Sequence, residues 1–196
     1  EDFVNRTNAE LVGKLANLLS RSARMVSTKL DGRTCEPDPA AAPLIAAIRD
    51  AAETVAGHFE SRNFNLAVRE ICRLADEANK YLEETQPWKT VKVDAEKARA
   101  QLSAAVEAAR LLMVYLKPII PEFVAKAEAC LAVPPLTWAS LAETPPVRTL
   151  GRSSSTTTRP SSSANTRLPP AARPINDGSF ESRFVPTTMS TYGKRR

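Results

Sequence analysis

Two short runs in this sequence carry side chains suited to reading unstacked nucleic-acid bases. In Asn17-Leu18-Leu19-Ser20-Arg21 an amide and a guanidinium stand four residues apart, one turn of a helix. In Gln86-Pro87-Trp88 a proline ends a long helical pattern and an indole comes directly after it. An amide donates and accepts on a single base edge, and arginine forks onto a second base or a phosphate. Tryptophan supplies a face on which a base stacks. Each residue also has a plainer explanation. Asn17 and Arg21 fit the wet face of an amphipathic helix, and a tryptophan beyond a helix end commonly packs on the core.

Those residues need helices to hold them, and the apolar spacing supplies five. Residues 2–30 repeat Val4, Leu11, Leu15, Leu18, Val26 and Leu30 at helical steps, with Glu10, Lys14, Asn17, Arg21 and Arg24 opposite. Asp31-Gly32 should end this helix, because glycine takes the left-handed cap conformation. Pro37, Pro39 and Pro43 make a loop of residues 33–43. A second helix is expected from Leu44 to about Arg62, and a third from Phe64 to Glu84 with Asn63 as its cap. Leu66, Val68, Ile71, Leu74, Ala75, Ala78 and Leu82 form the expected core face of the third. Gln86 ends it, since a residue before proline is driven out of the α region. The fourth runs from about Val93 to Leu116 through Leu102, Val106, Ala109, Leu112 and Met113. The fifth spans residues 119–131 on Ile120, Phe123, Val124 and Ala127. No strand pattern of any length occurs before residue 145, so the fold class is all-α, a helical bundle.

Composition divides the chain. Residues 1–145 read as a helical domain, and residues 146–196 as a disordered, basic Ser/Thr/Pro/Arg-rich tail. From Gly151 onward 16 of 46 residues are Ser or Thr and five are Pro, too few apolar groups to offset the entropy of ordering. Eight Lys/Arg and two acids fall in that stretch, which leaves 19 bases and 20 acids before it. The net charge of +5 therefore belongs to the tail. RNA binding by the helical part must rest on a few placed side chains rather than a general field.

The same inventory argues against catalysis. His58 is the single histidine and has no nucleophile or carboxylate at motif spacing; the six glycines form no phosphate loop. Runs such as Asp76-Glu77 and Glu83-Glu84 fit a solvated helix face. Cys35, Cys72 and Cys130 have no metal-binding spacing and read as reduced thiols of a cytoplasmic protein. No metal site, no cofactor in this chain and no membrane span are expected. The opening Glu-Asp-Phe-Val-Asn, inside a helical pattern and without an initiator Met, suggests a piece of something longer.

The same residues carry a family resemblance. Asp2-Phe3-Val4-Asn5-Arg6-Thr7-Asn8 and the run Leu11 to Arg21 resemble the start of the anticodon-binding helical domain of methionyl-tRNA synthetases, class I aminoacyl-tRNA synthetases. The likeness continues through Phe59-Glu60-Ser61-Arg62-Asn63-Phe64, Ala67-Val68-Arg69-Glu70-Ile71 and Leu74-Ala75-Asp76-Glu77-Ala78-Asn79-Lys80-Tyr81. Gln86-Pro87-Trp88, Tyr115-Leu116-Lys117-Pro118-Ile119-Ile120-Pro121 and Leu136-Thr137-Trp138 complete it, over about residues 1–143. The Pro-Trp element is common to the Ile, Val, Leu, Met and Cys synthetases, whereas the ordered set points to the methionyl branch.

The resemblance implies recognition of the CAU anticodon of initiator and elongator methionine tRNAs. It places Asn17 and Arg21 on anticodon bases, Trp88 under the wobble cytosine, and Pro87 in the turn that presents the indole. Gly13, one turn before Asn17, departs from well-known bacterial members of the family, which carry a second Asn there. The HIGH and KMSKS signatures of the catalytic domain are absent from the 196 residues, so ATP and Mg would belong to that missing part. The implied partners are the methionine tRNA anticodon loop and the synthetase catalytic domain, and the chain alone should not aminoacylate. Two alternatives stay open, a helical protein-interaction module and a non-functional truncated product. Loss of periodicity near residues 145–155 is also what a reading-frame shift produces. Translating the same DNA in its other two frames should then recover a synthetase-like continuation, and its absence from both would dispose of the idea.

Overall fold

The computed structural model describes residues 13–143 and 149–150. The first twelve residues of the chain, the proposed boundary near residue 145 and the tail from 151 lie outside the described residues. Within them the architecture is helical: α1 (Gly13–Lys29), α2 (Ala42–Asp50), α3 (Ala52–Glu60), α4 (Phe64–Thr85), the short α5 (Pro87–Thr90), α6 (Ala95–Leu116) and α7 (Pro121–Leu131). Turns of 3-10 helix at Pro39–Ala41 and Trp138–Leu141 complete it. The one bridge between extended residues among those described pairs Arg33 with Thr149.

α1 buries Leu15, Leu18, Leu19, Ser22, Ala23 and Val26, the stripe its periodicity demands. It closes where expected, but with two left-handed residues rather than one: Asp31 has φ 57° and Gly32 φ 72°. The Gly32 amide reaches back to the Val26 carbonyl at 2.9 Å, a six-residue return that satisfies an end carbonyl. The Gly32 carbonyl accepts the Leu150 amide at 2.7 Å, and Leu150 is buried against the helical unit.

α6 is the axis of the bundle. From Gln101 to Leu116 each of its residues is buried. α1, α2, α4, α5 and α7 all pack on it, while α3 packs on α4. Its start is set by Asp94, whose carboxylate accepts the Lys97 amide at 2.9 Å. Leu102, Val106, Ala109, Leu112 and Met113 are core as expected, but so are Glu107 and Arg110. Those two satisfy each other: Arg110 donates from Nε and Nη2 to the Glu107 carboxylate, both at 2.8 Å. Arg110 also donates to the carbonyls of Ser140 and Glu143 at 2.9 Å each, fastening the last turn of the domain to the axis.

Two expectations need correction. The second helix is two helices, α2 and α3, joined at Ala51. The buried Tyr115 hydroxyl donates to the Ile48 carbonyl at 2.5 Å, taking an acceptor that a continuous helix would use for residue 52. The first turn of α4 buries Ala67, whereas Leu66 is exposed and Val68 half-buried. Ala67 stands four residues before the buried Ile71, on the same helix face, and side-chain size drew the expectation to its neighbours. Asn63 does occupy the N-cap position of α4, although its side chain makes no cap bond.

Burial, reinforced by the charge of Asp50, pushes the Tyr115 hydroxyl up from 10.0 to about 12. The fold thus favours the neutral phenol, and this contribution is complete below pH 10.0 and lost as pH climbs toward about 12. Tyr115→Phe should flatten the stability profile in that window while costing about 1–3 kcal/mol at neutral pH for the deserted Ile48 carbonyl. Urea unfolding at a series of pH values reads both effects. An unchanged alkaline slope would contradict them.

Candidate nucleic-acid interface

Trp88 is placed by backbone chemistry. Gln86, forced out of the right-handed region by Pro87, sits left-handed at φ 45° and ψ 57° and stops α4. Pro87 then opens α5 at the position where its missing N–H costs nothing. Its ring is buried, so the turn is anchored from below. The Thr90 hydroxyl closes the corner with long hydrogen bonds to the Thr85 and Gln86 carbonyls, 3.3 and 3.4 Å. The indole of Trp88 is left half-buried at the edge of the bundle.

α1 supplies the other half. Lys14 pairs with Asp76 of α4 at 2.8 Å, and the Asn79 amide donates to the Lys14 carbonyl at 3.4 Å. With α1 so seated and its apolar stripe against α6, Asn17 and Arg21 face solvent. The Arg21 guanidinium carbon lies 5.1 Å from the centre of the Trp88 ring. That distance is within the range of a cation–π contact. Two residues singled out separately in the sequence are therefore in contact, 67 positions apart. Asn17 lies one turn away on the exposed side of α1, and its amide makes no hydrogen bond among the described residues. Pro87 shapes the site from beneath rather than lining it.

Lys89 and Lys92, one and four residues after Trp88, are exposed. A cavity of about 570 Å³ lies elsewhere, lined by residues such as Cys35, Ile45, Arg49, Val106 and Leu150 and by none of the four site residues. A stacking surface needs an open ring face rather than an enclosed volume. Neither a metal cluster of three or more ligands nor a helix long and apolar enough to cross a membrane occurs among the described residues.

A family model described as "Anticodon binding domain of methionyl tRNA ligase" matches residues 32–158. The chain belongs to this family. Pro87 and Trp88 fall within the matched stretch, and Asn17 and Arg21 precede it. The methionine–tRNA ligase of Bdellovibrio bacteriovorus is 41% identical over 141 residues, 72% of this chain and 20% of that protein. That of Ralstonia nicotianae is 41% identical over 143 residues, again 72% of this chain and 21% of the relative. The chain thus spans about a fifth of the length of the curated relatives it matches. Among solved structures, Mycobacterium tuberculosis methionyl-tRNA synthetase bound by methionyl-adenylate superposes with a TM-score of 0.69 at 31% identity. That match covers 77% of this chain and 32% of the other. A second structure of the same synthetase with methionyl-adenylate gives 0.63 at 34% identity, over 69% and 28%. The helical architecture is that of the anticodon-binding domain of these enzymes.

The arginine–indole contact should be measurable without RNA. In a double-mutant cycle on stability, Arg21→Ala and Trp88→Ala should show a coupling of about 0.5–1 kcal/mol. Strict additivity, within the ~0.3–0.5 kcal/mol scatter of independent sites, would mean that the contact contributes nothing.

Proposed function

We propose that this domain recognises the CAU anticodon of methionine tRNAs, with Trp88, Arg21 and Asn17 as its base-contacting side chains. The observation that carries the reading is the Arg21 guanidinium set against the Trp88 ring at 5.1 Å, in a domain of this family. The indole provides the stacking face for the wobble cytosine. Arg21 donates to an anticodon base or phosphate from beside that stack, and Asn17 adds one base edge a turn away. Pro87 fixes the turn so that little ordering entropy remains to be lost when RNA arrives. The chain serves as the anticodon-reading part of a cytoplasmic methionine–tRNA ligase and works with the catalytic domain of that enzyme, where ATP and Mg act. By itself it does not charge tRNA.

The near-neutral helical part supports this division of labour, because selectivity must then come from placed contacts rather than bulk attraction. The full chain should bind a stem-loop with a CAU anticodon more tightly than one with a scrambled loop. Trp88→Ala should cost about 1–3 kcal/mol on the CAU loop. Equal affinity for the two loops, together with indifference to Trp88→Ala, would favour the helical protein-interaction module instead.

A further inference from the structure

The core of the helical part runs out at one end. α4 buries Ala67, Ile71, Leu74, Ala75, Ala78 and Leu82 in one stripe. Phe64 stands seven residues before Ile71, on that same face of the helix, yet half of it is exposed to solvent. Its ring lies against one other ring among the described residues, that of Phe59 in α3, with centroids 6.3 Å apart. Leu66, two residues on, is exposed as well. From Glu60 to Leu66 the chain turns this corner without burying a residue.

Large apolar side chains are exposed at four places among the described residues: Phe64, Leu66, Val93 and Trp138. Three of the four share one end of the bundle. α4 and α6 pack together and are joined only by the residues between Thr85 and Ala95, so they run antiparallel. The start of α4 therefore lies at the same end as the close of α6. There Trp138 leans on Tyr115, centroids 5.4 Å apart, and stays 40% exposed. Trp88 and Arg21 lie at the other end, because α4 leads straight into α5. At about 1.5 Å per residue, the 22 residues of α4 hold the two ends about 33 Å apart. α1 runs beside α4 in the same sense: Lys14 meets Asp76 and Asn79, and Arg21 meets Trp88. The start of α1 thus points toward the Phe64 end.

We infer that the Phe64 end of the bundle, with Leu66 and Trp138, is the surface on which the catalytic part of the ligase docks. The inference rests on the reading of this chain as the anticodon-reading part of such an enzyme. The chain matches 20% and 21% of its curated relatives, which leaves most of such an enzyme to be packed against this domain. An apolar centre with a polar rim is the anatomy of a specific protein contact, and Arg62, Asn63 and Asn65 are exposed around Phe64 to supply the rim. A partner seated there roofs the stripe that α4 leaves open and gains the burial of an aromatic ring. It also leaves the Trp88 end free for RNA.

The test titrates the full chain into a related methionine–tRNA ligase from which the matching domain has been removed. Methionine-dependent exchange of pyrophosphate into ATP verifies that this probe is folded. The unaltered chain should bind it, and Phe64→Asp should weaken binding by about tenfold or more, the loss expected of a central apolar anchor. Leu66→Asp, on the side of α4 away from the buried stripe, leaves the core packing alone and should weaken binding too. Both variants should hold the CAU stem-loop as tightly as the unaltered chain, and circular dichroism checks that the helices persist. Probe binding that neither variant weakens overturns the docking surface. So does failure of the unaltered chain to bind the probe, and a retained preference for the CAU loop then leaves the anticodon reading standing. Sedimentation that shows the chain pairing with a second copy of itself, lost with Leu66→Asp, overturns the assignment of this face to the ligase. Neither probe binding nor a CAU preference in the unaltered chain overturns both readings together.

Discussion

The structure depends on one constraint: α6 has no face toward water between Gln101 and Leu116. A helix buried all round must have its charged groups answered, because an orphaned charge in the interior costs several kcal/mol; of its uncharged polar groups, Gln101 Oε1 is left without a hydrogen-bond partner among the described residues. Glu107 and Arg110 answer each other, and the arginine has two donors to spare for the carbonyls of Ser140 and Glu143. Tyr115 donates to Ile48. The Ser103 hydroxyl receives the Cys35 amide at 2.9 Å. Each answer is a tether from the axis to a different outer segment, so the polar residues of α6 locate loops and helix joints that apolar packing alone would leave free to slide.

The meeting of Arg21 with Trp88 depends on that axis. α1 and α5 are separated by 57 residues of chain between Lys29 and Pro87, yet both pack on α6. Their shared support brings the guanidinium of Arg21 to the ring of Trp88. The site is consequently rigid at its base and adjustable at its tip. Pro87 is buried and the Gln86 backbone is committed to a left-handed turn, while Arg21 reaches in on a long side chain with rotamers to spare. Rigid aromatic and adaptable cation is a sensible division for a surface proposed to accept a splayed loop of single-stranded RNA.

How much of this was legible in the sequence varied with the range of the interaction. Local rules sufficed for the break at Gln86-Pro87, the start of the axial helix near Val93 and the stripe of α1, since proline sterics and helical period act within a few residues. The division between α2 and α3 was not legible, because its cause is a hydroxyl on Tyr115, 67 positions from Ile48. The burial of Glu107 and Arg110 was hidden for the same reason: charged residues pass for surface until their partners are known. At the site, residue types nominated Asn17, Arg21, Pro87 and Trp88, but spacing was silent on which would meet.

The chain has two tryptophans, and the fold has given them opposite neighbours. Trp88 lies beside the Arg21 cation. Trp138 lies against the ring of Tyr115, centroids 5.4 Å apart, on the buried axis. Indole emission responds to nearby charge and to polarity, so the two rings are distinct optical probes built into one molecule. One watches the rim where RNA would arrive, and the other watches the closure of the last turn onto the axis. Replacing either by phenylalanine isolates the signal of the other, which makes recognition and integrity of the bundle separately observable without any label.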